Sequence, residues 1–220
     1  MKIAFGSCGN PQRPLPIFDH VLEHQPDLFI FLGDNIYDLG AREAFREEDL
    51  AKLSPQLEAT RGASNSRAFF LPGNHDWAKG ADDARARESI RLQQAWLYEL
   101  APDSSARLLP AHGCPGPERV DVVAGVTVLL IDTEWLLRVP DDDCGGEDRF
   151  YERLTDLLRI GKLPKDLGLP PISVEHDRFM ICGSPSMLKD ITRMLDSQGF
   201  EESRHGVAAH YVIERAFVES

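Results

Sequence analysis

Two short stretches of this chain carry residue types that could hold a cation and act on a phosphate. Gly33-Asp34-Asn35-Ile36-Tyr37 and Gly73-Asn74-His75-Asp76 each follow an apolar run that reads as a buried strand. A strand ending in Gly-Asp sets a carboxylate on a tight turn at the sheet edge, where its oxygens can bridge two cations. Asp34 is therefore the candidate bridging ligand. Tyr37, three residues on, could return to the same cation as a phenolate, which a hard, strongly acidic metal such as ferric iron would favour. Asn74 offers a neutral carbonyl oxygen to a second metal. His75 is the candidate donor to a phosphate oxygen or leaving group, and Asp76 the candidate carboxylate that orients its imidazole. Each motif alone has a blander reading, since Gly-Asp is a common turn and Asn-His-Asp a frequent helix cap. Their order, spacing and strand context favour a metal site.

These motifs need a scaffold that brings two strand ends together, and the hydrophobic rhythm supplies one. Up to about Trp135 it alternates: strand Ile3 to Phe5, helix Leu15 to His24, strand Leu28 to Leu32, helix Arg42 to Thr60, strand Ala68 to Leu71. A helix from about Asp82 to Leu100 follows, with Ile90, Leu92, Trp96 and Leu97 as candidate core residues. Strands Arg119 to Val123 and Val126 to Ile131 then flank an Ala124-Gly125 hairpin turn. Such alternation predicts an α/β layered sheet with ligands gathered at the carboxyl ends of its strands. The Asp141-Asp142-Asp143 run reads as a solvated turn rather than a calcium loop, because the glycine and spacing of such a loop are missing. Beyond it the pattern predicts a helix Phe150 to Arg159, a connector Leu163 to Ile172, a strand Arg178 to Cys182, a helix Ser186 to Gln198 and a strand Tyr211 to Phe217.

Composition narrows the partners. The chain has 220 residues, 42% of them hydrophobic, enough for one globular unit or two small ones. Its apolar runs are strand-sized, so no membrane partner and a cytoplasmic location are expected. A formal net charge of -12, with no basic cluster, disfavours nucleic acid. Cys8, Cys114, Cys144 and Cys182 have no C-x-x-C spacing and are expected to be free thiols in a reducing cytosol.

With its strand context, the pair Gly33-Asp34-x-x-Tyr37 and Gly73-Asn74-His75-Asp76 resembles two motifs of the calcineurin-like metallophosphoesterases. The opening Ile3 to Cys8, with Pro26 to Tyr37, is similar to the alkaline phosphatase D type; Gly113 to Glu118 and Leu130 to Trp135 look like another bacterial branch. The resemblance implies an α/β/β/α layered fold over residues 1–149 and hydrolysis of a small-molecule phosphate ester by metal-bound hydroxide. It also implies a divalent or ferric ion, with Fe, Mn, Zn or Ca as candidates, and it makes Cys8 a thiolate iron ligand by analogy. The later histidine ligand and the Gly-His-x-His motif that complete such a pair do not occur: His205 to His210 is too widely spaced. Cys8, Asp34, Tyr37 and Asn74 alone would hold one cation, and a second only with many waters. The phosphoesterase fold is thus expected to be incomplete and its activity weak or absent, with self-association through uncovered apolar surface.

Residues 150–220 resemble the closing part of bacterial ferredoxin-NADP reductase. The likeness rests on Arg153 to Leu158, Asp166 to Pro171, Arg178-Phe179-Met180-Ile181-Cys182-Gly183-Ser184-Pro185-Ser186-Met187 and Tyr211 to Glu219. It implies that Cys182, Gly183 and Ser184 lie near the nicotinamide of NADP and that Phe217 approaches a flavin. The residues themselves agree: a strand, a Gly-Ser-Pro turn and a helix N-terminus suit a dinucleotide. A plain C-terminal βαβ-like segment with a glycine turn is the favoured reading of them, since the flavin-binding barrel of that family is missing. Three readings follow: a metallophosphoesterase, an NADP-binding remnant, and a non-catalytic fusion of two incomplete domains.

Overall fold

A computed structural model describes residues 1–7, 20–21, 23–36, 67–103, 105–114, 116–134, 154–204 and 207–214. The chain divides into two units, Met1–Asp141 and Asp142–Ser220.

The first unit is built on four parallel strands in the order β1-β2-β3-β4: Ile3–Gly6, Leu28–Phe31, Arg67–Phe70 and Ala106–Leu108. Strand β2, Leu-Phe-Ile-Phe, is buried at every position because it is central and covered on both faces. Its alternate side chains serve opposite faces. Phe29, Phe31 and Phe70 form one aromatic cluster, with the Phe31 and Phe70 rings stacked nearly parallel, 4.4 Å apart; such a pair contributes about 1 kcal/mol beyond its buried area. Leu28, Ile30 and Phe69 on the other face join Leu109, Val122 and Leu130 in one apolar cluster.

Val122 and Leu130 come from a hairpin, β5 (Glu118–Val123) and β6 (Val126–Leu130), whose turn places Gly125 at φ 81°. The hairpin is a second sheet against the first, and the Arg67 guanidinium donates to the Val122 carbonyl at 2.6 Å. A parallel sheet, a packed antiparallel hairpin and a long helix make a layered α/β fold.

Helix α1 (Asp83–Leu100) starts where expected, with Asp82 accepting from the Arg85 amide at 2.9 Å as its cap. Its buried face differs from the expected one. Ile90 and Leu97 are buried as predicted, but Ala86, Ser89 and Gln93 complete the stripe, while Leu92 and Trp96 are only half-buried. Strand β4 was not foreseen.

In the second unit, α2 (Leu154–Arg159) precedes α3 (Lys162–Asp166), a short helix where a connector was expected. Pro164 falls in its first turn, where a missing amide donor costs nothing. Then β7 (Phe179–Cys182), α4 (Pro185–Ser197) and β8 (Tyr211–Glu214) form a parallel βαβ unit. Helix α4 buries Ile191, Met194 and Leu195, and the Tyr211 hydroxyl donates to Asp196 at 2.7 Å.

Candidate metal centre at two apposed turns

Strands β2 and β3 are adjacent, parallel and in register, with Phe31 opposite Phe70. The turns that follow them are therefore forced side by side at one edge of the sheet. Their contact is backbone against backbone. A Cβ at Gly33 would lie 2.9 Å from the Gly73 Cα, and one at Gly73 would lie 2.5 Å from the Asp34 amide nitrogen. Only glycine fits at either position. Gly33 and Asp34 also take left-handed conformations, φ 107° and 54°, which turn the chain sharply at the strand end; an aspartate held there is mildly strained, as residues at functional turns often are.

The Asp34 carboxylate lies against the second turn, is 5% exposed, and accepts from the His75 backbone amide at 3.2 Å. Between Gly73 and His75, the Asn74 Oδ1 atom is buried without a hydrogen-bond partner. An orphaned buried amide oxygen is costly unless a cation or donor meets it. Asp34 is thus packed against the turn that carries Asn74, and a carboxylate and an amide oxygen are donor types that suit a hard, oxygen-seeking cation. Cys8 and Tyr37, the other expected ligands, lie outside the described residues, as does Phe217. Among the described residues no group of three or more His, Cys, Asp or Glu side chains could hold a metal ion.

Asp76 has a different task from the one expected of it. Its side chain is fully buried and accepts from the backbone amides of Asn35, Ile36 and Gly73, at 3.1, 3.1 and 2.7 Å. The Asn35 side-chain amide adds a contact at 3.4 Å and donates to the Leu71 carbonyl at 2.7 Å. The carboxylate therefore ties the two turns together and makes no bond to the His75 imidazole. Burial pushes its carboxyl up to about 7, against the opposing pull of the Gly73 amide, and the Asp34 charge raises it further.

The second turn is also held from behind, by residues the sequence reading passed over. The Asp76 carbonyl accepts from the Ser89 hydroxyl and from Gln93 Nε2, the latter at 2.9 Å. These bonds explain why a serine and a glutamine occupy the buried face of α1. Trp77, with no exposure, donates its indole N–H to Asp132 Oδ2 at 2.7 Å, and Asp132 Oδ1 accepts from the Glu134 amide at 3.0 Å. Asp132 follows the apolar strand β6 much as Asp34 follows β2, the one signal that could have drawn attention to it.

Cys182, Gly183 and Ser184 stand together at the carboxyl end of β7. Ser184 caps α4 through the Met187 amide at 3.4 Å with Pro185 next, a preorganised helix start. Gly183 lets Met187 pack on the backbone, since a Cβ there would meet its sulfur at 2.9 Å. Cys182 is not part of a disulfide. Cys114, by contrast, is disulfide-bonded, which corrects the expectation of four free thiols. No helix among the described residues is long and apolar enough to cross a membrane.

The family model of calcineurin-like phosphoesterases matches residues 7–163. The chain is also similar to the ferredoxin–NADP reductase of Pseudomonas aeruginosa, 43% identical over 126 residues, or 56% of this chain and 43% of the reductase. The Azotobacter vinelandii ferredoxin–NADP reductase is 59% identical over 68 residues, 30% of this chain and 26% of that protein. The flavodoxin/ferredoxin–NADP reductase of Rhodobacter capsulatus is 41% identical over 156 residues, 68% of this chain and 56% of its own length. The first and third of these matches are longer than the second unit, so they run into the first. The chain spans no more than 56% of any of these three reductases.

Proposed function

The chain belongs to the calcineurin-like phosphoesterase family, and from that premise we propose that it hydrolyses a small phosphate ester at the two turns that close β2 and β3. The observation that carries this reading is the Asp34 carboxylate seated against the Gly73–His75 turn, whose Asn74 carries a buried side-chain oxygen with no partner. Asp34 and Asn74 would hold the cation, with Cys8 and Tyr37 as its further ligands. When bound, such a cation supplies Lewis acidity to a phosphoryl oxygen and to water. The protein's own residues do the rest. His75 is aimed by its backbone bond to Asp34 and donates to the ester's leaving oxygen. Asp76 keeps both turns in register from below, so that the ligand oxygens cannot drift apart. The test is hydrolysis of p-nitrophenyl phosphate by purified protein supplied with Fe, Mn or Zn: the unaltered chain turns over and Asp34→Ala does not. Equal rates in the two proteins would reject the assignment.

A second reading applies to the C-terminal unit. The βαβ arrangement of β7, α4 and β8, with small residues at a capped helix start, supports an NADP-binding remnant around Cys182, Gly183 and Ser184. The named reductases support it as relatives. NADP should then slow proteolysis of residues 150–220, and identical cleavage with and without nucleotide would remove this reading.

A further inference from the structure

We propose that Asp132 is a positioning residue for this centre, acting through the indole of Trp77; the inference rests on the phosphoesterase reading for its catalytic consequence and on geometry alone for its structural one. The Gly73–Trp77 segment is a single turn, closed by the Trp77 amide donating to the Gly73 carbonyl at 3.2 Å. Asn74 and His75 are its middle residues, so the turn's orientation fixes both. One end is pinned by the Asp76 carboxylate on Gly73, Asn35 and Ile36. The other end is pinned by Trp77, whose N–H reaches Asp132 at 2.7 Å with the pair 0% and 1% exposed.

Three features make this bond more than packing. It is charge-assisted and dry, which makes it strong and directional. It joins the turn to the end of β6, a rigid element of the second sheet, rather than to a neighbouring loop. And the next residue, Ala78, is held at φ 51°, a conformation alanine avoids unless its surroundings impose it. The Trp77 ring lies near Gly113, where a Cβ would meet it at 3.8 Å, an ordinary packing contact. A turn fixed at both ends keeps the backbone of Asn74 and His75 in place against Asp34 without help from a bound ligand, which is the preorganisation a cation site needs.

The experiment is a mutant cycle of Trp77→Phe, Asp132→Asn and the double variant, read by amide hydrogen exchange and by p-nitrophenyl phosphate hydrolysis with Mn2+. Trp77→Phe keeps most of the ring and removes only the donor. Exchange at Gly73, Asn35 and Ile36 should accelerate about tenfold or more in each single variant, as expected for local opening, while the β2 and β3 amides keep their rates. A kcat loss on the order of 100-fold with KM unchanged should accompany it, the cost of an ångström-scale misplacement. The double variant should be no worse than the worse single one. Additive effects, or site amides that exchange as in the unaltered protein, would overturn the proposal. A uniform rise across β2 and β3 would overturn it too, by assigning the pair to general stability. Absence of hydrolysis in the unaltered protein would reject the phosphoesterase reading alone, because exchange at these amides requires no substrate.

Discussion

Replacing Gly73 by alanine adds one methyl group where the structure leaves no room for it. The new Cβ would sit 2.4 Å from Asp34 Oδ1 and 2.5 Å from the Asp34 amide nitrogen, with the Gly33 carbonyl carbon at 3.1 Å. The carboxylate oxygen could swing aside, but the other two atoms are backbone. Ordinary contact begins at 3.4 Å, so the turns must separate by about 0.9 Å, in a packed interior that yields little. Overpacking of this size costs about 2 kcal/mol, equivalent to a Tm fall of roughly 4–8 °C for a domain of this length. The site should suffer more than the fold, since a shift near 1 Å is worth on the order of 100-fold in rate. Gly125→Ala is the matched control: it has open space around it but a φ of 81°. It should lower Tm through backbone strain while leaving metal uptake and hydrolysis intact. Differential scanning calorimetry with metal analysis reads both variants. A Gly73→Ala protein that melts like the unaltered one and binds metal equally would refute the apposition of the two turns.

Other outcomes follow from the same contacts. Asp76 titrates near 7 when folded and at its usual 3.8 when unfolded, so the folded chain binds the extra proton. Its contribution is full below pH 3.8 and lost as pH rises through about 7, with a slope of at most about 1.4 kcal/mol per pH unit. Urea titrations in EDTA between these limits should show stability falling with pH, and Asp76→Asn should flatten that trend; a wild-type profile that rises instead would contradict the burial. Because Cys114 is disulfide-bonded, denatured unreduced protein should show two fewer thiols by colorimetric titration than reduced protein. Four thiols in both samples would exclude the bond.

The parallel core was legible because β2 and β3 are short apolar runs that stop at Gly-Asp and Gly-Asn, and glycine at a strand end announces a turn that side chains cannot make. Strand β4 escaped because its pattern of buried Ala106, exposed Arg107 and buried Leu108 is too brief to show a period. The buried stripe of α1 was misread for a reason of chemistry. Ser89 and Gln93 look like surface residues until the Asp76 carbonyl that they satisfy is placed over them. Asp76 was misassigned by the same kind of omission: adjacency to His75 suggested an orienting carboxylate, whereas two amides from a distant turn and one from its own claim it. Hydrophobic periodicity reports where strands lie, and it carries no information on which buried polar groups complete one another across the chain. Trp77 and Asp132, 55 positions apart, could be paired only by folding.

Calorimetric titration of Mn2+ into the metal-free protein bears most directly on the proposed centre. The unaltered chain should bind with measurable heat, and both Asp34→Ala and Asn74→Ala should lose that heat while keeping a cooperative thermal transition. Binding of equal affinity in all three proteins would show that the two turns are not where the cation sits.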